Sequence, residues 1–345
     1  MSADAPVVAV LTAGGDCPGL NAVIRAVVRR CIDVHDAEVV GVENGWNGLM
    51  ENEVRSLRRD DVRGILQQGG TILGTSRRDP YEQGDGYASV QRTVERNGID
   101  TVIVIGGDGT LRTALRLADE GLQVVAVPKT IDNDIAGTDM TFGFDTAVEI
   151  ATQAIDRITT TAEAHERLMV VEVMGRTRGW IATWAGIAAG ADAILIPEFP
   201  YDLDEIAEVV RTRVRRGRTF SIVVVAEGVD PPPGHDRERR LDALGFERVG
   251  GVAYQIAPEL EERTGVETRV TVLGYVQRGG VPTAFDRVLA TRLGVKAADL
   301  AIEGTSGVMT ALRGPEIVAV PLEEACSEIK KVPPRLYEVA KTFFG

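Results

Sequence analysis

The sequence predicts an α/β chain of two domains, each a doubly wound and mainly parallel sheet. Three observations carry that prediction. Short runs rich in Val and Ile alternate with stretches of helical period, glycine-rich turns stand where those runs stop, and 345 residues exceed the usual span of one core. In order, the strand-like "VVAVLTA" precedes the helical "NAVIRAVVRRCI", "TVIVIGG" precedes "TLRTALRLADEG", and "VVAVP" follows. The pattern restarts with "RLMVVEVMG", "WIATWAGIAAGA", "AILIPE", "DLDEIAEVVRTRVRRG" and "FSIVVVAEG", giving a second α/β half. The stretch 228–251, "GVDPPPGHDRERRLDALGFERVGG", breaks it: a proline triplet and dense charge predict a surface loop, with a helix after it. The strand-like "TRVTVLGYV" and helical "AFDRVLATRLGVKAADLAIEG" then resume, so the domains can be discontinuous in sequence.

Composition narrows the function. A formal charge of -13 argues against a nucleic-acid partner, whose binding needs clustered Lys and Arg. No basic region precedes the first apolar run, and no apolar stretch approaches the roughly eighteen residues of a membrane span, so a soluble, cytoplasmic protein without a membrane partner is expected. Cys17, Cys31 and Cys326 are too scattered for a disulfide framework or zinc site and are expected as free thiols. The three histidines, His35, His165 and His235, leave little for a histidine-based metal cluster or triad, so any catalysis should rest on carboxylates and arginines.

Three glycine turns, "TAGGDCPG", "GGDGT" and "MGRTRG", stand at strand ends, where open α/β sheets bind ligands. Glycines there let backbone N–H groups close on an anion, with a helix N-terminus adding its field, and phosphate is the obvious anion. The common phosphate motifs do not fit: "GGTILGTS" carries Thr75 where a P-loop needs lysine, and neither early turn reads GxGxxG. Each turn alone is equally a plain tight turn.

Asp108, in "GGDGT", is either a helix cap or a carboxylate facing a magnesium ion. In "VPKTIDNDIAGTD", Asp132 and Asp134 flank Asn133, which an Asx turn explains without function. Alternatively one carboxylate takes the proton of an attacking hydroxyl in phosphoryl transfer, and the strand-end position favours Asp132. Arg77, Arg78, Arg167, Arg176, Arg269 and Arg278 stand beside strand ends in an acidic chain, and guanidinium forks suit phosphate oxygens, which implies a substrate that itself carries phosphate.

Together "LTAGGDCPGLNAVIR", "GGTILGTSR", "IGGDGT", "PKTIDNDIAGTD", "VVEVMGR" and "ETRVTVLGYVQRGG" resemble, in order and spacing from about residue 7 to 300, the motif series of the 6-phosphofructokinase family. The resemblance implies two Rossmann-like domains with the active site between them, residues 1–143 and 277–327 binding the donor and 144–276 and 328–345 binding fructose 6-phosphate. It implies transfer of a phosphoryl group to the 1-hydroxyl of that sugar, with Mg²⁺ at Asp108, in glycolysis. Asp132 matches the general base, and Thr130 and Arg176 the groups that stabilise the transferring phosphoryl. Gly15, Arg77, Arg78, Gly107, Asp108, Gly109 and Thr110 match the ATP-binding positions. Thr130, Asp132, Met174, Gly175, Arg176, Glu227, Tyr275 and Arg278 match the sugar-phosphate positions. Arg167 and Arg269 match arginines that reach across a subunit interface, so a homotetramer, or at least a homodimer, is expected.

Two positions bear on the donor. Gly109 resembles the ATP-using branch, because an aspartate there, as in pyrophosphate-using relatives, obstructs and repels the α-phosphate; Lys129 resembles the pyrophosphate branch instead, and Tyr275 replaces a common histidine. The chain thus resembles a mixed branch, with ATP favoured by the steric and charge logic at Gly109. Arg25, Arg29 and Arg59 match positions that line an effector site between subunits in bacterial family members, and Arg216 and Arg218 of "RTRVRRGR" fall near it, although that run is equally a solvated helix end; Thr159 replaces another arginine of that site. The rivals are a pyrophosphate-dependent enzyme, a lipid or NAD kinase sharing only "GGDGT", and a non-catalytic sugar-phosphate sensor.

Overall fold

The computed structural model describes residues 5–236, 240–241, 247–248 and 250–345. In chain order the elements are β1 (Val7–Thr12), α1 (Leu20–Val34), β2 (Glu38–Val42), α2 (Gly45–Glu51), β3 (Val54–Ser56), α3 (Gly86–Arg96), β4 (Thr101–Gly106), α4 (Asp108–Asp119), β5 (Val124–Pro128) and α5 (Phe144–His165). Then come β6 (Leu168–Val173), α6 (Trp180–Ala188), β7 (Ala193–Leu195), α7 (Leu203–Arg215), β8 (Ser221–Ala226), β9 (Arg240–Leu241), β10 (Glu247–Arg248), α8 (Ala253–Thr264) and β11 (Thr268–Val272). α9 (Ala284–Ile302), β12 (Val308–Arg313), β13 (Glu316–Pro321), α10 (Leu322–Ala325) and α11 (Pro334–Lys341) complete the chain. Contacts divide it into two units, Met1–Thr146 with Arg278–Lys330, and Ala147–Gln277 with Lys331–Gly345.

The first unit holds a seven-stranded sheet in the order β13-β12-β5-β4-β1-β2-β3. β2, β1, β4, β5 and β12 run parallel, and only the edge strands β3 and β13 are antiparallel. Every residue of β4 and β5 is buried, as expected of strands covered on both faces. α4 shows how the covering works: Leu111, Ala114 and Leu117 recur at helical spacing and are fully buried in the core cluster of this sheet. Each buried leucine contributes about 1.5–3 kcal/mol. On the helix pair α1 and α9, Gly294 lets the backbones approach, since a Cβ there would stand 2.9 Å from the Val23 carbonyl.

The second unit holds a four-stranded parallel sheet, β11-β6-β8-β7. The strand expected over "TRVTVLGYV" is shorter than its apolar content suggested: Gly274 turns to φ 54°, and Gly274–Arg278 forms a 3₁₀ turn instead. The loop expected over 228–251 lies partly outside the described residues. Within it β9 and β10 pair antiparallel, and the helix expected beyond it is α8. No helix among the described residues is long and apolar enough to cross a membrane.

Candidate active site

The first sheet reverses its strand order between β1 and β4, so a crevice for ligands opens beyond the carboxyl ends of these two neighbours. The turns 13–19 and 107–110 follow those ends. The Ala13 N–H donates to the Ile105 carbonyl (3.0 Å) and the Lys129 N–H to the Gly106 carbonyl (2.8 Å), so the ends of β1, β4 and β5 are stitched side by side. The 75–78 segment joins them: the Gly14 N–H donates to the Ser76 carbonyl (2.9 Å), and the Thr75 hydroxyl to the Gly14 carbonyl (2.6 Å). Thr75, at the position where a P-loop has lysine, thus ties two glycine turns together.

Lys129 is buried among these turns, its ammonium donating to the Gly15 carbonyl. Burial pushes that ammonium below the usual lysine range, with Arg278 acting the same way and Asp132 and Asp16 opposing. Arg278 approaches the same turn: a Cβ on Gly15 would stand 2.0 Å from a terminal guanidinium nitrogen. Thr110 is buried beside Gly14, whereas a Cβ on Gly109 would meet nothing within 4 Å. Arg77 and Arg78 are exposed; Arg78 donates to Asn47 Oδ1 at 2.9 Å.

Asp108 does not cap its helix. It is the first residue of α4 with Gly107 at the N-cap, and its carboxylate pairs with Arg112 one turn on (3.0 Å). At the end of β5 the Asp132 N–H donates to the Thr130 hydroxyl (3.0 Å), and Asp132 itself is buried. Asn133, at φ 49°, reaches across the loop to accept from the Thr141 N–H (3.1 Å), and the Thr141 hydroxyl donates to the Thr130 carbonyl (2.8 Å).

In the second unit Met174, Gly175 and Arg176 follow β6. Glu227, beyond β8, accepts from the Gly175 N–H (3.2 Å) and the Arg176 N–H (2.8 Å), holding a turn in which Arg176 takes the left-handed φ of 56°. Such a conformation costs a non-glycine residue of order 1 kcal/mol, and it leaves the Arg176 side chain exposed. The buried Gln277 accepts from the Met174 N–H (3.3 Å), while Tyr275 in the same 3₁₀ turn is 74% exposed.

Arg167 and Arg269 are not brought to this end of the sheet. Arg167 precedes β6 and Arg269 lies near the start of β11, in register with Met169, whereas Arg176 follows β6. At about 3.3 Å per residue the six residues of β6 set the two ends roughly 20 Å apart. Glu267 pairs with both arginines, with Arg167 at 3.0 Å, and Arg167 first among its causes holds the Glu267 carboxyl below the usual range. Of the residues expected from the resemblance at an effector site, Arg29 and Arg59 meet on Asp33, Arg25 is partly buried, Arg216 and Arg218 are exposed, and the Thr159 hydroxyl donates to the Ile155 carbonyl within α5.

Sequence reasoning missed Glu267, Gln277 and Lys330, each of which has a partner about 100 residues or more away in the chain: Arg167, Met174 and Asn133 respectively. No local pattern signals such residues.

A doubly wound sheet whose glycine turns and buried carboxylate gather at the switch point defines a phosphate-handling α/β protein. The phosphofructokinase family model matches residues 7–301. The chain is 54% identical over 340 residues to a pyrophosphate–fructose 6-phosphate 1-phosphotransferase of Amycolatopsis methanolica, covering 98% of this chain and 99% of the relative. It is also 54% identical over 341 residues to an ATP-dependent 6-phosphofructokinase of Mycobacterium bovis, with the same coverage. Among solved structures, a phosphofructokinase from Saccharomyces cerevisiae superposes with a TM-score of 0.82 at 35% identity, over 98% of this chain and 46% of that one. The chain belongs to the phosphofructokinase family.

Proposed function

We propose that the protein is an ATP-dependent 6-phosphofructokinase, transferring the γ-phosphoryl group of ATP to the 1-hydroxyl of fructose 6-phosphate in the cytoplasm. The observation that carries this reading is the meeting of the Gly14–Gly15 turn, the 107–110 turn and the Thr130–Asp132 pair at the adjoining ends of β1, β4 and β5. Phosphoryl transfer requires little more of a protein than positioning and charge stabilisation, and these turns offer both. The donor is assigned to residues 1–143 and 277–327, and the sugar phosphate to 144–276 and 328–345. Gly15, Arg77, Arg78 and the 107–110 turn bind ATP; Met174, Gly175, Arg176, Glu227, Tyr275 and Arg278 bind the sugar phosphate.

Asp132 takes the proton of the attacking hydroxyl, and its burial beside a buried lysine suits a positioned base. Thr130 and Arg176 are assigned the stabilisation of the transferring phosphoryl group. Asp108 suits Mg²⁺, which is commonly bound by one or two carboxylates with phosphate oxygens and water, because its carboxylate stands at the first residue of α4 within the 107–110 turn. When bound, Mg²⁺ would supply charge neutralisation at the phosphate oxygens, and Asp108, which pairs with Arg112, is the residue that would hold it. The subunits assemble as a homotetramer in which Arg167 and Arg269 serve a neighbouring chain's site, a reading supported by their place at the far end of β6 and β11 from Arg176.

Pyrophosphate is the second reading for the donor, favoured by Lys129 within the glycine turns. Fructose 1,6-bisphosphate formation measured side by side with ATP and with pyrophosphate decides between them. Turnover with ATP alone supports the reading; turnover with pyrophosphate alone overturns it.

A further inference from the structure

Lys330 directs three hydrogen bonds of its ammonium to the loop that carries Asp132. It donates to Asn133 Oδ1 (3.0 Å), to the Thr138 carbonyl (2.9 Å) and to the Asp139 carbonyl (3.0 Å). The backbone reinforces this: the Lys330 N–H donates to the Asp134 carbonyl (2.8 Å), and Ile329 bridges Ile135. On its other side the loop is fixed to β12, since the Asp139 N–H donates to the Leu312 carbonyl (2.8 Å) and the Leu312 N–H to the Thr138 hydroxyl (3.0 Å). Asn133 is the junction. Its side-chain oxygen accepts from both Lys330 and the Thr141 N–H, and the Thr141 hydroxyl returns to the Thr130 carbonyl.

We propose that Lys330 is a positioning residue for phosphoryl transfer: its ammonium locks the loop 130–141 through Asn133 and so fixes where Asp132 stands at the end of β5. The inference rests on Asp132 being the base. Asn133 is buried at a left-handed φ, which asparagine adopts more readily than other non-glycine residues, and the Lys330 and Thr141 bonds to its side-chain oxygen hold it there. The cost of placing a cation here is visible in Lys330 itself, whose pKa burial pushes down to about 8 against the opposing fields of Asp134 and Asp139. A lysine serving solubility alone would stay in water.

The test compares Lys330→Met, Asn133→Gly, Asp132→Ser and the double variant Asp132→Ser/Lys330→Met in the full chain. Asn133→Gly keeps the left-handed backbone accessible while deleting the shared oxygen, so it carries the test if Lys330→Met fails to fold. Expected for Lys330→Met and for Asn133→Gly is a fall in kcat of about 10- to 100-fold, the scale of a roughly 1 Å misplacement. KM for either substrate should change by less than about threefold. Hydrogen exchange over 133–141 should quicken, and Lys330→Met should cost nothing further in the Asp132→Ser background. Normal kcat in Lys330→Met or Asn133→Gly, with Asp132→Ser inactive, overturns the role of Lys330 alone. Losses that multiply in the double variant also overturn it, because Lys330 would then act by another route. Normal kcat in Asp132→Ser instead removes the base beneath it.

Discussion

Arg278 occupies the space that a side chain at Gly15 would need. The guanidinium lies so close to the turn after β1 that an added Cβ would stand 2.0 Å from its nearer terminal nitrogen, and the same group donates to the Asp16 carbonyl (3.4 Å). The 260-odd residues between them in sequence are thus closed at one point of the candidate site.

Gly15→Ala should therefore displace Arg278, proposed above to bind the sugar phosphate, without unfolding the chain, because the obstructing atoms are the far end of a flexible side chain. Expected is a loss in kcat/KM of at least about tenfold, equivalent to about 1.4 kcal/mol, with Tm nearly unchanged. In an Arg278→Ala background the glycine substitution should lose the part of its cost that runs through the guanidinium and keep only what Gly15 itself contributes to the donor turn. A full, independent loss there would show that Gly15 serves the donor directly rather than through Arg278.

Gly109→Asp tests donor choice. A Cβ at Gly109 meets nothing within 4 Å, so the turn has room for a side chain to begin there. Two like charges about 4 Å apart near a protein surface repel by up to about 4 kcal/mol. KM for ATP should rise at least about tenfold, and direct titration of ATP should weaken in parallel. Unchanged ATP kinetics would remove Gly109 as the residue that selects the donor.

The Val- and Ile-rich runs at β1, β4, β5, β6 and β8 were legible because buried parallel strands leave a continuous apolar record, and the turns after them because glycine marks a strand end. The 3₁₀ turn at Gly274–Arg278 was not, since "GYV" carries strand propensity and only the backbone angle of Gly274 reveals the break. Asp108 suggested a cap from its place after two glycines; its carboxylate instead meets Arg112, and that choice depends on helix geometry one turn away. Lys330 left no local trace at all, as its side-chain partners lie about 190 residues upstream.

The thiols give a direct check on packing. Cys17, Cys31 and Cys326 are free and buried, and burial pushes Cys31 to about 12 and Cys326 to about 11, with Cys17 raised further. Thiolate is the reactive form, so at pH 8 the native protein should show almost no fast labelling by a disulfide reagent, and three labelled thiols once unfolded. Rapid labelling of a thiol in the native state would contradict the packing around it.

Asp286 should make stability depend on pH in an unusual direction. Its carboxylate is fully buried and accepts from the Gly143 N–H (2.9 Å), the Thr146 N–H (2.8 Å) and the Thr146 hydroxyl (2.6 Å). Burial still dominates and pushes its pKa up from 3.8 to about 6, with Asp145 adding to the rise and the three bonds opposing it. Because the folded value lies above the unfolded one, the native state keeps a proton that the unfolded chain releases between those values. Its contribution is fully present below about pH 4 and is lost as pH rises through about 6, an effect of at most about 3 kcal/mol. Asparagine cannot titrate and turns an N–H group toward the Thr146 donors, a fault worth about 1–3 kcal/mol at any pH. Denaturant unfolding of wild type and Asp286→Asn at pH 4.5, 5.5 and 7.5 should show the advantage of the wild type shrinking as pH rises. A difference that stays constant across the three would mean that the bonds from Gly143 and Thr146, rather than burial, govern this carboxylate.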